Sequence, residues 1–130
     1  GIINSEAPEI VQHLDVLEPW AKANLGGNLS RIRVITAKGT SMKTSSPESI
    51  DNGDVLFVDA TIQTFDGEGI YIISRGPDVQ VKRLQKLQGD VLAIISDNHA
   101  YVTERLTSEE ADSVVICGRV LASWTLKKFW

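Results

Sequence analysis

Cysteine and histidine are scarce in this sequence, and long apolar runs are missing. One Cys and two His among 130 residues exclude an internal disulfide and leave too few ligands for a protein-built zinc site. We expect no metal, no cofactor and a cytoplasmic location, because a single Cys is typical of a reducing compartment. The longest apolar run is Val91–Ile95, whereas a membrane span needs about 20 apolar residues, so we expect no membrane partner.

An excess of positive charge is also missing. The chain has 13 Lys+Arg against 17 Asp+Glu, which gives a net charge of −4. Proteins that bind a nucleic-acid backbone need clustered Lys and Arg to displace counterions, so this piece is not expected to bind DNA itself. With 42% hydrophobic and 23% charged residues, the composition is that of one globular domain.

One short helix is predicted near the N-terminus. It begins after Asp15, which has capping-box spacing with Glu18, and ends at Gly26-Gly27-Asn28. The apolar residues that recur every four positions are Leu17, Ala21 and Leu25. We therefore interpret residues 1–30 as a segment leading into a core of residues 31–130.

Most of the remaining chain is predicted to form strands. The β-branched and apolar runs are Arg31–Ala37, Val55–Asp59, Gly69–Ser74, Asp78–Leu84, Val91–Ser96 and Val114–Trp124. Arg75-Gly76-Pro77 predicts a hairpin turn, Lys43–Asp51 a polar loop, and Thr107–Ala111 one helical turn. Short strands at this spacing indicate a mostly β domain with a curved or barrel-like sheet.

Two residues are candidates for catalysis, although each has a simpler interpretation. Ser41 follows Gly39-Thr40 in a segment that could be an ordinary hydroxyl-capped turn. Lys82 lies in an alternating strand and could be a solvated lysine. Together they suggest a Ser-Lys dyad, in which a neutral lysine removes the serine proton. Burial in apolar surroundings favours the neutral amine that this chemistry needs.

Other candidates receive structural interpretations. A hydrolase triad of Ser41, His99 and Asp97 is conceivable, but Asp97-Asn98-His99 is more typical of a turn. His13 is interpreted as a surface or packing residue. Ser45, Ser46 and Ser49 are interpreted as solvated loop residues. The aromatic residues of the tail Lys127-Lys128-Phe129-Trp130, with Trp124, are predicted to lie at a subunit interface rather than to stack on nucleic acid.

Five motifs in one order resemble the LexA-like self-cleaving repressors, which include phage repressors, and UmuD. They span roughly residues 31–124 and are Gly39-Thr40-Ser41-Met42, Gly53-Asp54-Val55, Val81-Lys82-Arg83-Leu84, Ser96-Asp97-Asn98-His99-Ala100-Tyr101 and Gly118-Arg119-Val120-Leu121. Signal peptidase I shares the Ser-Met and Lys-Arg elements, but it would need a membrane anchor, and we expect none here.

The resemblance implies a LexA/signal-peptidase-like curved β-sheet barrel with one short N-terminal helix. It implies that Ser41 is the nucleophile and Lys82 the general base, acting on a peptide bond of the same chain. It also implies a homodimer or higher oligomer, a possible RecA-filament partner, and operator DNA bound only through a helix-turn-helix domain that this chain lacks. The chain is therefore expected to be the C-terminal domain of a longer repressor.

The sequence departs from the family pattern at several places. The family commonly has Asp, Asn or Glu where Thr40 stands, and Pro where Thr44 stands. The scissile Ala-Gly or Cys-Gly of the family should precede the catalytic core, yet the sequence contains no Ala-Gly. Its one Cys-Gly, Cys117-Gly118, lies in an apolar strand and is expected to be a buried thiol.

These departures leave two further hypotheses. The chain could be a catalytically silent oligomerisation module whose induction is controlled by an antirepressor. Alternatively, it could be a UmuD-like partner of a translesion polymerase, without a DNA-binding domain upstream. The sequence that precedes Gly1 in the parent gene would discriminate among all three.

Overall fold

Eight antiparallel strands form one sheet in the computed structural model, which describes residues 9–11, 18–125, 127 and 129. The strands are β1 (Glu9–Val11), β2 (Ile32–Thr36), β3 (Val55–Asp59), β4 (Gly69–Arg75), β5 (Asp78–Leu87), β6 (Val91–Ile95), β7 (Glu104–Leu106) and β8 (Val115–Trp124). Their order in the sheet is β1-β2-β3-β8-β4-β5-β6-β7. The predicted mostly β fold is confirmed, and its strand order is open, with β1 and β7 at the two edges.

The helices are short. They are α1 (Glu18–Leu25), a 3-10 helix (Leu29–Arg31) and α2 (Ser108–Ala111). The predicted helical turn at α2 is confirmed, and a capping box between Thr107 and Glu110 begins it. Asp15 and Leu17, which were expected to start the first helix, lie outside the described residues, as does His13. Within the described part of the chain, no helix combines the length and apolar content that a bilayer crossing requires.

The central strand β8 joins two groups of strands that are separate in sequence. Its N-terminal half pairs with β4 and its C-terminal half pairs with β3. Both pairings contain a register shift, which marks a bulge that bends and twists the sheet. At Gly118 the strands approach so closely that a Cβ atom would lie 2.5 Å from Val58 Cγ1. A glycine is therefore required where β8 crosses from one partner to the other.

Both faces of the sheet are covered by apolar side chains. Along β4, Ile72 belongs to a core cluster with Met42 and Val81, whereas Tyr71 belongs to a second cluster with Leu84. Successive side chains of a strand point to opposite faces, so these clusters lie on either side of the sheet. This two-sided burial explains why the strands have continuous apolar runs instead of simple alternation.

Three aromatic rings connect α1 to the sheet. Trp20 of α1 lies 4.9 Å from Phe57 and 4.5 Å from Trp124, measured between ring centroids, and Phe57 lies 5.4 Å from Trp124. The Trp124 ring is half-buried and packs within the chain, and its predicted place at a subunit interface stays a prediction. Phe129 is exposed, and Trp130 lies outside the described residues.

Truncation of Phe57 should be strongly destabilising. Its side chain is fully buried between the other two rings, so Phe57→Ala leaves a cavity and should lower the free energy of unfolding by roughly 3–5 kcal/mol. Val115→Ala is the control, because Val115 is 57% exposed on β8 and should cost less than about 1 kcal/mol. Urea denaturation of both variants measures the difference, and equal losses would contradict the assigned packing.

Candidate active site

Ser41 lies in the loop between β2 and β3, and two backbone hydrogen bonds close the base of this loop. Ala37 N donates to Asp54 O and Gly53 N donates to Ala37 O, each at 2.8 Å. Gly53 has a φ of +91°, a conformation that glycine adopts without steric cost. The buried Asp54 carboxylate accepts a hydrogen bond from Asp51 N at 2.8 Å. The Gly-Asp motif therefore fixes the point at which the loop re-enters the sheet.

Hydroxyl groups stabilise the outer part of this loop. Ser49 Oγ accepts from Thr44 N at 2.9 Å and donates to Asp51 Oδ1 at 2.6 Å. Thr44 Oγ1 also shares a hydrogen bond of 3.0 Å with Ser46 Oγ. Of the three serines interpreted as solvated, Ser45 and Ser46 are exposed and Ser49 is half-buried, while Ser46 and Ser49 also bond within the loop. Thr44 thus shapes the loop at the position where the family commonly has proline.

The side chain of Ser41 is buried, with 5% exposure. Its neighbour Met42 enters the core cluster that also contains Ile50 and Val81, and Met42 O accepts a hydrogen bond from Ile50 N at 3.0 Å. Ser41 and Val81 line the same small cavity. The methionine therefore anchors the serine against the strand that carries Lys82.

Lys82 is buried on β5, with 7% exposure. The two flanking valines, Val79 and Val81, contact one core cluster, and Leu84 contacts the other. The alternation predicted for this strand is therefore confirmed, and Lys82 is not a solvated strand lysine. Its Nζ donates a hydrogen bond to the buried Ser96 Oγ at 2.9 Å.

The Ser41 loop and Lys82 meet at the segment that follows β6, residues 96–101. Asn98 N donates to Ser41 O at 3.0 Å, and Asn98 Nδ2 donates to Thr40 O at 2.9 Å. Asp97 N approaches Met42 Sδ at 3.3 Å. Since Ser96 in the same segment accepts from Lys82, this segment brings together the surroundings of both predicted catalytic residues.

Tyr101 also contacts both parts of the site. Its hydroxyl shares a hydrogen bond of 2.8 Å with Thr40 Oγ1, and its ring centroid lies 5.6 Å from Lys82 Nζ. Thr40 replaces the polar residue that commonly precedes the serine in the family, and this bond gives it a partner. The Ser-x-Asn-x-x-Tyr motif thus supplies a hydroxyl, an amide and an aromatic ring to one site.

A cleft of about 190 Å³ leads to Lys82. It is lined by Arg75, Gln80, Lys82, Ile94, Ser96, Tyr101, Val102 and Glu104. Arg75 and Glu104 form an ion pair across it, and Val102 is exposed. The cleft is open to solvent at Tyr101 and Val102.

The alternative triad has a geometry that fits a turn better than a catalytic arrangement. Both carboxylate oxygens of Asp97 accept from the Arg83 guanidinium at 2.9 Å, and this pairing raises the pKa of Arg83. His99 is exposed. Asp97 therefore orients Arg83 rather than an imidazole.

Comparison with known proteins identifies the family. The profile of the peptidase S24-like family matches residues 2–121, nearly the whole chain. The chain belongs to the peptidase S24-like family. This assignment agrees with the LexA-like resemblance drawn from the motifs.

Two curated relatives of this S24-like chain are longer proteins. It is 35% identical over 121 residues to the 26 kDa repressor protein of Escherichia phage HK022, covering 92% of this chain and 49% of that protein. It is 32% identical over 111 residues to an uncharacterized HTH-type transcriptional regulator of Haemophilus influenzae, covering 82% and 44% respectively. The chain thus spans about half the length of the curated relatives it matches.

Sequence reasoning proposed Ser41 and Lys82 as candidates but assigned no functions to Ser96, Asn98 and Tyr101. All three belong to a motif that was used only for the family resemblance. Their hydrogen bonds connect residues that are 14 to 61 positions apart. No local pattern reports contacts of that kind, and only the shared motif could have indicated them.

Cys117 lies in β8, where its thiol is half-buried rather than fully buried as predicted, and this burial raises its pKa. A thiol with a raised pKa has little reactive thiolate at neutral pH. Gly118 is also buried where β8 crosses between its partners. The Cys117-Gly118 bond is therefore part of the sheet, as expected for a structural position.

Replacement of Asn98 tests how firmly segment 96–101 is attached to the Ser41 loop. Asn98→Ala removes the bonds to Thr40 O and from Ala100 N and should cost about 1–2 kcal/mol in urea unfolding. Asn98→Asp places a carboxylate against Thr40 O, so its destabilisation should be at least as large at pH 7. It should diminish as the pH falls, because a protonated carboxyl can donate.

The matched control for this pair is Asn24→Ala. Asn24 is exposed and, among the described residues, bonds to Trp20 O of its own helix at 2.9 Å, so its loss should cost about 0.5 kcal/mol or less. If Asn98→Asp were as stable as the parent chain and its stability did not depend on pH, the assigned orientation of the amide would be contradicted.

Proposed function

We propose that this chain is the C-terminal part of a phage-type transcriptional repressor that cleaves its own polypeptide through Ser41 and Lys82. The observation that carries the proposal is the burial of Lys82 with Nζ bonded to Ser96, in the segment that also binds the Ser41 backbone. A buried lysine beside a loop serine is the arrangement that Ser-Lys chemistry needs. The family membership and the phage repressor relative support the same reading.

The first chemical step is attack by the Ser41 hydroxyl on the carbonyl carbon of the scissile peptide bond. Lys82 Nζ, as the neutral amine, takes the hydroxyl proton while the new C–O bond forms. The carbonyl electron pair moves onto its oxygen, and backbone N–H groups of the turn at Ser41 stabilise that negative charge. Burial supports this step, because a low-dielectric environment disfavours the ammonium form of a lysine.

The second step breaks the peptide C–N bond. The oxyanion returns its electron pair to the carbonyl, the amine leaves, and the Lys82 ammonium gives it the proton. Water then attacks the Ser41 ester while Lys82 accepts a proton from it. The ester C–O bond breaks, Lys82 returns the proton to Ser41 Oγ, and the carboxylic acid product loses its own proton to solvent and departs. Ser96 orients Nζ throughout, since its hydroxyl occupies one hydrogen-bonding direction of the nitrogen.

An extended peptide segment could reach the site along the edge of β5. The strand β6 pairs with β5 from Arg83 to Leu87, so the half of β5 from Asp78 to Lys82 extends past the end of β6, beside the cleft. Extended peptides bind such sheet edges through main-chain hydrogen bonds. A segment of the same chain needs only modest affinity there, because tethering gives it a high effective concentration.

In the parent protein, we propose that an upstream helix-turn-helix domain binds operator DNA and that this chain forms the homodimer. Dimerisation places two DNA-binding domains on two operator half-sites. A RecA filament would favour the cleavage-competent state of this chain by population shift. The acidic net charge of −4 is consistent with a parent protein whose DNA-binding residues lie in the upstream domain and not in this chain.

Self-cleavage of the full-length parent tests the dyad. Ser41→Ala and Lys82→Ala should each abolish cleavage at high pH or with activated RecA, because the first lacks the nucleophile and the second the base. The controls are Ser45→Ala, an exposed serine of the same loop, and Lys86→Ala, an exposed lysine of the same strand. Gel electrophoresis over time measures cleavage. Cleavage that persists in either dyad variant would contradict the assignment of Ser41 and Lys82 as the dyad.

A second candidate is a catalytically silent oligomerisation module controlled by an antirepressor. It is favoured by the missing Ala-Gly dipeptide and by the burial of Gly118 in the only Cys-Gly. The upstream gene sequence separates the candidates: a helix-turn-helix and a nearby Ala-Gly or Cys-Gly support self-cleavage. An upstream region without a DNA-binding domain would favour a UmuD-like polymerase partner.

The oligomeric state can be measured on the chain itself. Sedimentation velocity between about 1 and 100 µM should show a concentration-dependent dimer, and Ser41→Ala should dimerise equally because its hydroxyl lies in the interior of the chain. A strictly monomeric chain over this range would contradict the dimerisation part of both candidates.

A further inference from the structure

The ring of Tyr101 raises a question about the charge of Lys82. The ring centroid lies 5.6 Å from Nζ, a distance at which an aromatic face attracts a cation. The same attraction does not operate on a neutral amine. The ring contact therefore favours the ammonium and opposes the effect of burial, whereas the proposed first chemical step needs the amine.

The hydroxyl of Tyr101 fixes the ring in this place. It shares a hydrogen bond of 2.8 Å with Thr40 Oγ1, and Thr40 O is in turn bound by Asn98 Nδ2. The ring is otherwise at the surface, with 38% exposure. Outward movement of the ring into solvent would break this exposed hydrogen bond and the contact with Lys82.

We infer that Tyr101 is a positioning residue that keeps Lys82 in its ammonium form while its hydroxyl is bound to Thr40, and that outward movement of the ring activates the base. This inference rests on the proposed function of Lys82 for its catalytic consequence. Any event that displaces Tyr101, such as the entry of a strand into the cleft that it lines, then converts Lys82 from the ammonium to the neutral amine that can act as the base. The bound ring thereby slows self-cleavage.

Other charged groups near Nζ contribute to its titration but do not replace Tyr101. Among the described residues, the charged or titratable groups that share the cleft with Lys82 are Arg75, Tyr101 and Glu104. Arg75 and Glu104 neutralise each other as an ion pair. Asp97, on the adjoining segment, is paired with Arg83 through both carboxylate oxygens.

The direct test is the titration of Lys82 in the chain itself, followed by NMR of ¹³C-labelled lysine side chains, with Lys82→Gln to assign the resonance. Tyr101→Leu should lower the titration midpoint by about one pH unit, the equivalent of one desolvated cation–π contact. Tyr101→Phe and Thr40→Val keep the ring and remove its hydrogen bond. Both should lower the midpoint of Lys82 by the same amount, and by less than Tyr101→Leu does.

The direction of the shift decides between two roles of the ring. If Tyr101 acted only by excluding water, its removal would hydrate the ammonium and raise the midpoint. An upward shift or an unchanged midpoint in Tyr101→Leu therefore overturns the inference. Phe65→Leu is the matched control: its ring lies 5.9 Å from Lys86 Nζ, so the midpoint of Lys82 should not change.

Cleavage of the full-length parent gives the second readout. Below both midpoints, the neutral fraction of Lys82 limits the rate, so Tyr101→Leu should accelerate cleavage at pH 7 about tenfold and lose that advantage above the parent midpoint. If the midpoint falls but no variant is cleaved, the inference on charge is supported and the proposed function fails. If cleavage requires Ser41 and Lys82 but Tyr101→Leu leaves its pH profile unchanged, the proposed function stands and the inference is wrong.

Discussion

A buried lysine needs a hydrogen-bonding partner that is equally buried, and this requirement shapes the whole site. Transferring an ammonium from water into a protein interior costs several kcal/mol unless its donors are satisfied. Ser96 Oγ accepts from Lys82 Nζ at 2.9 Å, and this bond is possible only where segment 96–101 lies against β5. Asn98 of the same segment donates two hydrogen bonds to the Ser41 loop. The segment that positions Lys82 therefore also positions Ser41.

The two-sided core explains how a strand can carry such a residue. Val81 and Leu84 contact core clusters on opposite faces of the sheet, so β5 is fixed in register by apolar packing on both sides of Lys82. A slip of one residue would exchange every side chain between the faces. Apolar contacts thus fix the position of Lys82 Nζ, and its polar contacts determine its reactivity.

Local patterns were sufficient to predict most strands. The bounds of β3 agree with the prediction, and those of β4, β6 and β8 differ from it by one residue. The edge strands β1 and β7 were missed, because each has three residues and is defined by pairing with a distant segment. Likewise β5 continues to Leu87 because β6 pairs with it there, beyond the predicted end at Leu84.

The candidate site was predictable where chemistry follows from residue type and order. Ser41 and Lys82 could be proposed as candidates because both lie in the ordered motifs of the family resemblance, although each alone has a simpler interpretation. The partners Ser96, Asn98 and Tyr101 depend on tertiary contacts, and so does the packing of Trp124 on Trp20. An aromatic residue near the end of a sequence carries no local signal that distinguishes an internal partner from another subunit.

The position of β8 has a consequence for synthesis of the chain. Strands β2 and β3 flank the Ser41 loop, β5 carries Lys82, and the ladder that links these two groups runs through β8, the last strand in sequence order among the described residues. Ribosomes add about 5–20 residues per second, so the nascent chain carries Ser41 and Lys82 for several seconds before Val115–Trp124 has emerged. During that interval the two halves lack their common strand. The sheet that holds both residues is thereby completed only after its last described strand has been translated.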